Sequence, residues 1–321
     1  MEKQRVAVVG ARGIGRHHAN WWHLEGASVC AVAGTSAATL AETRTALEAA
    51  FGFDGRCYTD LGELLAAETP DIVDVCSPPP CHGDQVRQAL EAGSHVLCEK
   101  PFVYDPALST AELLGQARSL VGLAQERDRQ LSVCAQYAAG ARIFRDYWER
   151  RYKADPLTRY HGRLESPAKG RPAEPGRVWV DLAPHVISIF TVLFPGAQVQ
   201  WDSLSLHFEG YSAGAAFEAV THEGRTVEVG LQTANRTEAP ANVRQFELNE
   251  VLFDVQGARD EAGVFHARIV TPDDTWAAPD MMRLLIRDFL AGMPTIRLTD
   301  LVDDLALLLA IRDRALAAGL L

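Results

Sequence analysis

Three groups of residues in this sequence have types and spacing that chemistry can use. Gly10-Ala-Arg-Gly-Ile-Gly15 follows the apolar run Arg5-Val-Ala-Val-Val9 directly, and a glycine loop between a strand and a helix lets backbone amides at the helix N-terminus meet a pyrophosphate. Set against Gly-x-Gly-x-x-Gly, Gly10 and Gly15 take the first and third glycine positions. Arg12 stands in the middle one, with Gly13 a place later. A tight turn that needs small residues for strand and helix to pack would use the same glycines. Lys100 follows His95-Val-Leu-Cys98 and Glu99 and precedes Pro101. If that run is a buried strand, the ammonium emerges at the carboxyl edge of the sheet, where a lysine can exchange a proton with a reacting oxygen; alone it reads as a surface lysine. Asp181 and His185 are four apart, which puts them on one helix face if a helix begins near Asp181, and Pro184 predicts that start because proline is tolerated in a first turn. Such a pair suits general acid-base work, with His185 moving the proton and Asp181 as its polar partner. Without further context the same two residues read as an N-cap aspartate and a helix-face histidine.

The elements that must position these residues fall into two textures. Residues 5–9, 28–33, 71–76, 95–98 and 131–135 are nearly all apolar between polar ends, as strands buried on both faces should be. Residues 14–25, 37–50, 81–92 and 107–129 lie between them with helical periodicity. This alternation predicts a doubly wound α/β domain with a parallel sheet over residues 1–138. Residues 139–321 read as an α+β domain built on a mostly antiparallel sheet, serving substrate binding and oligomerisation. It opens with a helix over 142–151 and an exposed loop over 165–177. From Gln198 the period drops to two, at Leu204, Leu206 and Phe208 and again at Val227, Val229 and Leu231, and one more strand is predicted over 244–255. Helices over 279–291 and 299–318 close the chain, the second capped by Thr299 or Asp300 and stopped by Gly319.

With 321 residues, the chain is long for one core and comfortable for two. Its 47% hydrophobic and 23% charged residues exclude disorder, and a formal net charge of -11 argues against a nucleic-acid partner. All six cysteines lie in the first half without metal-ligand spacing, so they read as buried small hydrophobes in a reducing compartment and no metal is expected. No signal-like N-terminus and no uncharged apolar stretch of membrane-spanning length is present. The expectation is a cytoplasmic protein with a small-molecule substrate and no membrane partner.

The glycine loop calls for a dinucleotide, and the second strand addresses which one. Domains selective for NAD place a carboxylate at the end of that strand, on the adenosine ribose. Here it ends Val32-Ala-Gly-Thr-Ser36, with no Asp or Glu between Glu25 and Glu42. Thr35 and Ser36 offer hydroxyls and Arg12 a cation, so NADP is expected over NAD; Arg12 reads equally as a solvated loop arginine.

Ala92-Gly-Ser-His-Val-Leu-Cys-Glu-Lys-Pro101 resembles the Glu-Lys-Pro segment of the glucose-fructose oxidoreductase, inositol dehydrogenase and rhizopine catabolism protein family (Gfo/Idh/MocA). Cys76-Ser-Pro-Pro-Pro-Cys-His82 resembles the family's loop after the fourth strand, Asp181-Leu-Ala-Pro-His185 its Asp-x-x-x-His motif, and residues 301–319 its last helix. Added to the glycine loop and the end of the second strand, the resemblance gives expected cofactor contacts at Gly10, Arg12, Gly13, Ile14, Gly15, Thr35, Ser36, Ser77, Pro78, His82, Glu99 and Lys100. It also implies a catalytic set of Lys100, His185 and Asp181, and a homodimer or homotetramer through the C-terminal sheet. His82 is either a cofactor-side contact or a helix cap. Where many members place Asn or Tyr followed by Arg, this chain has Gln136-Tyr-Ala-Ala139. The missing arginine implies an uncharged, partly aromatic pocket in which Gln136 and Trp179 touch substrate.

The function these readings imply is hydride transfer between NADP(H) and a secondary alcohol or ketone of a sugar, cyclitol or similar molecule. Reduction of a C=N bond and a non-catalytic NAD(P)-binding regulator are the alternatives. Apolar residues are further expected on both sides of the second sheet near Val227 to Leu231, which suggests face-to-face assembly through its exposed face.

Overall fold

A computed structural model describes residues 3–152, 155–261 and 264–321. The chain divides into two units, the first of residues up to Cys134 together with Leu285–Leu305, the second of Ala135–Leu284 with Ala306–Leu321. The sequence division at 138/139 assigns the closing helices wholly to the second domain, whereas residues 285–305 group with the first unit.

The first unit runs β1 (Arg5–Val9), α1 (Ile14–Leu24), β2 (Ser28–Ala33), α2 (Ala37–Phe51), β3 (Arg56–Tyr58), α3 (Leu61–Glu68), β4 (Ile72–Val75), α4 (His82–Glu91), β5 (His95–Cys98), α5 (Thr110–Glu126) and β6 (Leu131–Val133). The strands form one parallel sheet in the order β3-β2-β1-β4-β5-β6. Apolar strands end up central for the reason that both their faces are covered: Val6, Ala7 and Val8 are fully buried. Edge strand β3 is three residues with no apolar run to announce it, and neither it nor the apolar helix α3 is among the expected elements. Order reverses between β1 and β4, and the crevice at such a switch point is where open α/β sheets take ligands. Cys76, Cys98 and Cys134 are buried as expected, but Cys81 is exposed and Cys30 and Cys57 are half-buried.

The second unit contains α6 (Ala138–Arg151), β7 (Arg159–Pro167), α7 (Pro175–Leu193), β8 (Gln198–Glu209), β9 (Ser212–Val220), β10 (Thr226–Arg236), β11 (Val243–Leu248), β12 (Val251–Arg259), β13 (Phe265–Val270) and β14 (Thr275–Pro279). Helices α8 (Met281–Leu290) and α9 (Asp300–Ala317) follow. The eight strands order as β14-β13-β12-β11-β7-β10-β9-β8, antiparallel except for the central β7–β10 pair.

Several sequence expectations give way here. The stretch expected as a loop over 165–177 holds the end of β7 and the start of α7. In β7, Tyr160 and Leu164 point into the core while His161 and Arg163 alternate outward, an alternation hidden by the segment's charge. The strand expected over 244–255 is a hairpin of β11 and β12. It turns at Asn249, whose left-handed φ of 50° suits asparagine and whose Oδ1 accepts from the Thr158 and Arg159 amides at 2.9 and 3.0 Å. Helix α7 starts at Pro175, so Pro184 lies in its interior rather than its first turn. Though α7 is long and apolar enough by composition to cross a membrane, 72% of that window is buried inside the protein, as for a core helix. Near Val227 to Leu231 the second sheet is not apolar on both faces either. Val227, Val229 and Leu231 all face the core, while Glu228 and Gln232 occupy the open side.

That core is aromatic. Phe246, fully buried, stacks on Phe144 with centroids 5.4 Å apart and lies 5.6 Å from Tyr137. Phe246→Ala is expected to destabilise the protein by about 3–5 kcal/mol, read from denaturant unfolding; a loss below about 1 kcal/mol would show that this cluster does not hold the second unit.

Candidate active site

The glycine loop is built by close approach. Gly10 has φ +80°, and a Cβ there would sit 2.7 Å from the Ser77 amide nitrogen and 2.8 Å from the Cys76 carbonyl carbon. A Cβ on Gly15 would meet Gly10 O at 2.7 Å. Glycine is therefore required where β1 leaves the sheet and where α1 begins. Around the loop lies a cavity of about 570 Å3, lined by Gly10, Arg12, Gly13, Thr35, Ser77 and Pro78 among others. Six of the residues expected at the cofactor thus share one pocket, and its size and glycine floor fit a dinucleotide's adenosine and pyrophosphate.

The other expected cofactor residues have separate places. Ile14 is largely exposed at the start of α1. Ser36 is the N-cap of α2, accepting the Thr39 amide at 3.3 Å. His82 is fully buried and neither lines the cavity nor caps α4: its Nδ1 faces Pro101 O at 3.0 Å and its Nε2 faces Ser77 O at 2.8 Å. It is a strut that ties the loop after β4 to the Lys100-Pro101 segment, whose peptide bond is cis. Lys100 follows β5, and its backbone amide donates to Glu99 Oε2 at 3.1 Å.

Sequence reasoning missed what lies beneath this loop. His18 on α1 is 1% exposed, with Nδ1 2.9 Å from Asp74 Oδ2 and Nε2 3.1 Å from Glu99 Oε1. Trp22 Nε1 donates to the same Asp74 oxygen at 2.6 Å. Burial alone would lower the His18 pKa, but Cys76 and Asp74 raise it well above its ordinary value. Burial pushes the Cys76 thiol well up. A signal was legible: Asp74 is the one charged residue in Ile72-Val-Asp-Val75, and a carboxylate in a strand buried on both faces must find a partner.

In the second unit, His185 is buried on α7 and meets the Tyr137 ring edge-on at 5.4 Å. Asp181, one turn earlier, is half-exposed and pairs with Arg171 at 3.4 Å. Gln136 lies beside the Tyr137 hydroxyl and holds its pKa down against burial. Trp179 has no exposed surface and donates to Leu308 O at 3.0 Å, so it packs the core and does not line a pocket as expected. The cation missing after β6 comes from another strand. Arg244 of β11 lies near Tyr137, whose hydroxyl pKa burial raises against the pull of that guanidinium, and burial raises the pKa of nearby Asp280 against Arg244 and Arg283. Only the β7–β11 pairing brings Arg244 to this face, so local sequence carries no sign of it.

A parallel sheet with a glycine cradle at its switch point defines a dinucleotide-binding Rossmann domain. Residues 4–135 match the Gfo/Idh/MocA model, described as an oxidoreductase family with an NAD-binding Rossmann fold. The chain is 36% identical over 121 residues to D-glucoside 3-dehydrogenase of Escherichia coli, covering 36% of this chain and 32% of that protein. It is 30% identical over 166 residues to inositol 2-dehydrogenase of Rubrobacter xylanophilus, covering 48% and 46%. The matched stretches thus span less than half the length of these relatives. Among solved structures, UDP-N-acetylglucosamine 3-dehydrogenase from Acidithiobacillus ferrooxidans shares the fold over 98% of both chains, with a TM-score of 0.70 and 21% identity.

Gly10→Ala is expected to weaken dinucleotide binding more than tenfold and lower the melting temperature, because backbone on both sides must move. A Cβ on Gly13 meets nothing within 4 Å, and Gly13→Ala should keep the melting temperature within a few degrees. Equal tolerance of both changes, by thermal melts and fluorescence titration, would contradict the cradle.

Proposed function

We propose that the protein is an NADP(H)-dependent oxidoreductase that interconverts a secondary alcohol and a ketone on a sugar, cyclitol or similar small molecule. The observation that carries this reading is Lys100, set immediately after β5 in a parallel sheet whose neighbouring switch point holds the glycine cradle. The names of the relatives support the substrate class, each being the dehydrogenase of a ring-bearing polyol or sugar.

The phosphorylated cofactor is supported by the end of β2. Thr35 lines the cavity there, and α2 starts without an acidic residue in its first turn, so the positive end of a 15-residue helix faces the site of the adenosine ribose. Arg12 pairs with Glu42 at 3.6 Å, both side chains 70% exposed. Exposed pairs of this kind contribute about 0–1 kcal/mol, so a phosphate can take the guanidinium from Glu42 at little cost.

When bound, the nicotinamide gives or accepts the hydride. The chain's own part is to move a proton at the substrate oxygen and to orient the ring that carries it. Lys100 or His185 gives that proton in the reducing direction and takes it back in the other. Asp181 and Gln136 offer polar groups for neighbouring hydroxyls.

Lys100→Met and His185→Gln should each lower turnover by roughly 100-fold or more while NADPH affinity stays within about threefold. The assay is NADPH oxidation against a panel of ketoses, inosose-like ketones and cyclic imines. A double variant with unchanged turnover would overturn the catalytic assignment. NADPH should bind at least about tenfold more tightly than NADH; equal or tighter NADH binding would overturn the cofactor assignment alone.

A further inference from the structure

The buried cluster under the glycine loop has a chemistry that the proposed reaction leaves unused. His18 has a carboxylate oxygen at each ring nitrogen, Asp74 Oδ2 at 2.9 Å and Glu99 Oε1 at 3.1 Å. A neutral imidazole donates from one nitrogen only, and an ionised carboxylate can only accept, so the geometry calls for protons on both nitrogens. The contacts on Asp74 agree. Oδ2 also takes the Trp22 indole N–H at 2.6 Å and Oδ1 takes the Cys76 thiol at 3.4 Å, both of them donors to an ionised carboxylate.

The groups facing the ring come from four elements. Cys76 Sγ lies 3.2 Å from Nδ1, Asp74 and Cys76 belong to β4 and its end, Glu99 follows β5 and Cys134 follows β6. The side-chain N, O and S atoms of His18, Glu99 and Cys134 lie within 4.8 Å of one another. From α1 itself come Trp21, its ring 5.5 Å away, and Trp22. Burial pushes the Cys76 and Cys134 thiols well up, so both stay neutral. Two carboxylates and one imidazolium remain, a set that is stable in the interior only while the imidazolium keeps its charge.

Glu99 passes this arrangement on. One of its oxygens is held by His18, while the other accepts the backbone N–H of Lys100 at 3.1 Å. We propose that His18 is a positioning residue for Lys100: its ring bridges Asp74 to Glu99, and Glu99 so held fixes the backbone of the lysine. This rests on the reading of Lys100 as the proton-transferring group. The sign of the pH dependence follows from the raised pKa of His18 in the fold. The bridge is complete below the ordinary histidine range and is lost as pH rises through the raised folded value.

The test uses the full chain labelled with [13Cε1]histidine. The His18 resonance, identified by its absence in His18→Gln, is expected to keep the imidazolium position at pH values where an ordinary histidine, titrating at 6.5, has lost it. Titration at or below the ordinary 6.5 would overturn the proposal. Amide hydrogen exchange at fixed pH gives the second readout. Exchange at Lys100 should accelerate about tenfold or more in both His18→Gln and Glu99→Gln, since each loosens a charge-assisted bond, while the amides of β1 keep their protection. Unchanged exchange at Lys100 would overturn the proposal. If His18→Gln does not fold, Glu99→Gln serves for both readouts, as its loss of one carboxylate should lower the imidazole's titration point. Failure of the underlying reading is separately visible: Lys100→Met would then keep its turnover in the ketone panel, whatever the ring and exchange signals show.

Discussion

There is no room for a side chain where β1 leaves the sheet, and much of the first unit follows from that. The backbone at Gly10 runs against the backbone at Cys76 and Ser77 with less than a carbon's width to spare, and Gly15 closes on Gly10 in the same way. These two approaches bind the exits of β1 and β4 together at the place where strand order reverses. They also fix where α1 starts and which of its residues turn inward: His18, Ala19 and Trp22. Two of those three meet Asp74. One steric constraint therefore shapes both the pocket floor and the charge cluster beneath it, so binding loop and lysine support are parts of one packing unit.

Much of the first unit was legible because its physics is local. Strands buried on both faces must be apolar runs, and β1, β2 and β5 coincide with the runs at 5–9, 28–33 and 95–98. The glycines mark a turn that only glycine can make. What stayed hidden depends on partners far along the chain. Strand β3 is three residues at a sheet edge, Arg56 to Tyr58, and needs no apolar pattern. Asp74 was visible as a charge in an apolar strand, but its partner on α1 is 56 residues away.

The second unit was harder to read for a related reason. Alternation announced β8 and β10, whose apolar residues face one way. Strand β7 carries Arg159, His161, Arg163 and Glu165 on its open side, where Arg163 and Arg236 hold the Glu165 carboxylate, and that much charge resembles a loop. Pro184 misled in the same way. Pro175 begins α7, and the helix tolerates a second proline because packing such as the Tyr160 hydroxyl on Val186 O, 3.0 Å, holds it against the sheet. Arg244 became a neighbour of Tyr137 through strand pairing alone.

The last stretch of the first unit comes from the far end of the chain. Ser132 Oγ donates to Ile296 O at 2.8 Å, and Trp22 packs edge-on against Phe289 at 6.1 Å. On a ribosome adding roughly 5–20 residues per second, the 164 residues between Ser132 and Ile296 take on the order of 8–30 s to appear. For that time the nascent domain has its glycine cradle but not the segment that covers β6 and Trp22. The first unit is thus begun first and completed only near the end of the chain. A gene fragment ending near residue 135 would encode every residue of the family match and still leave that apolar seam open to water.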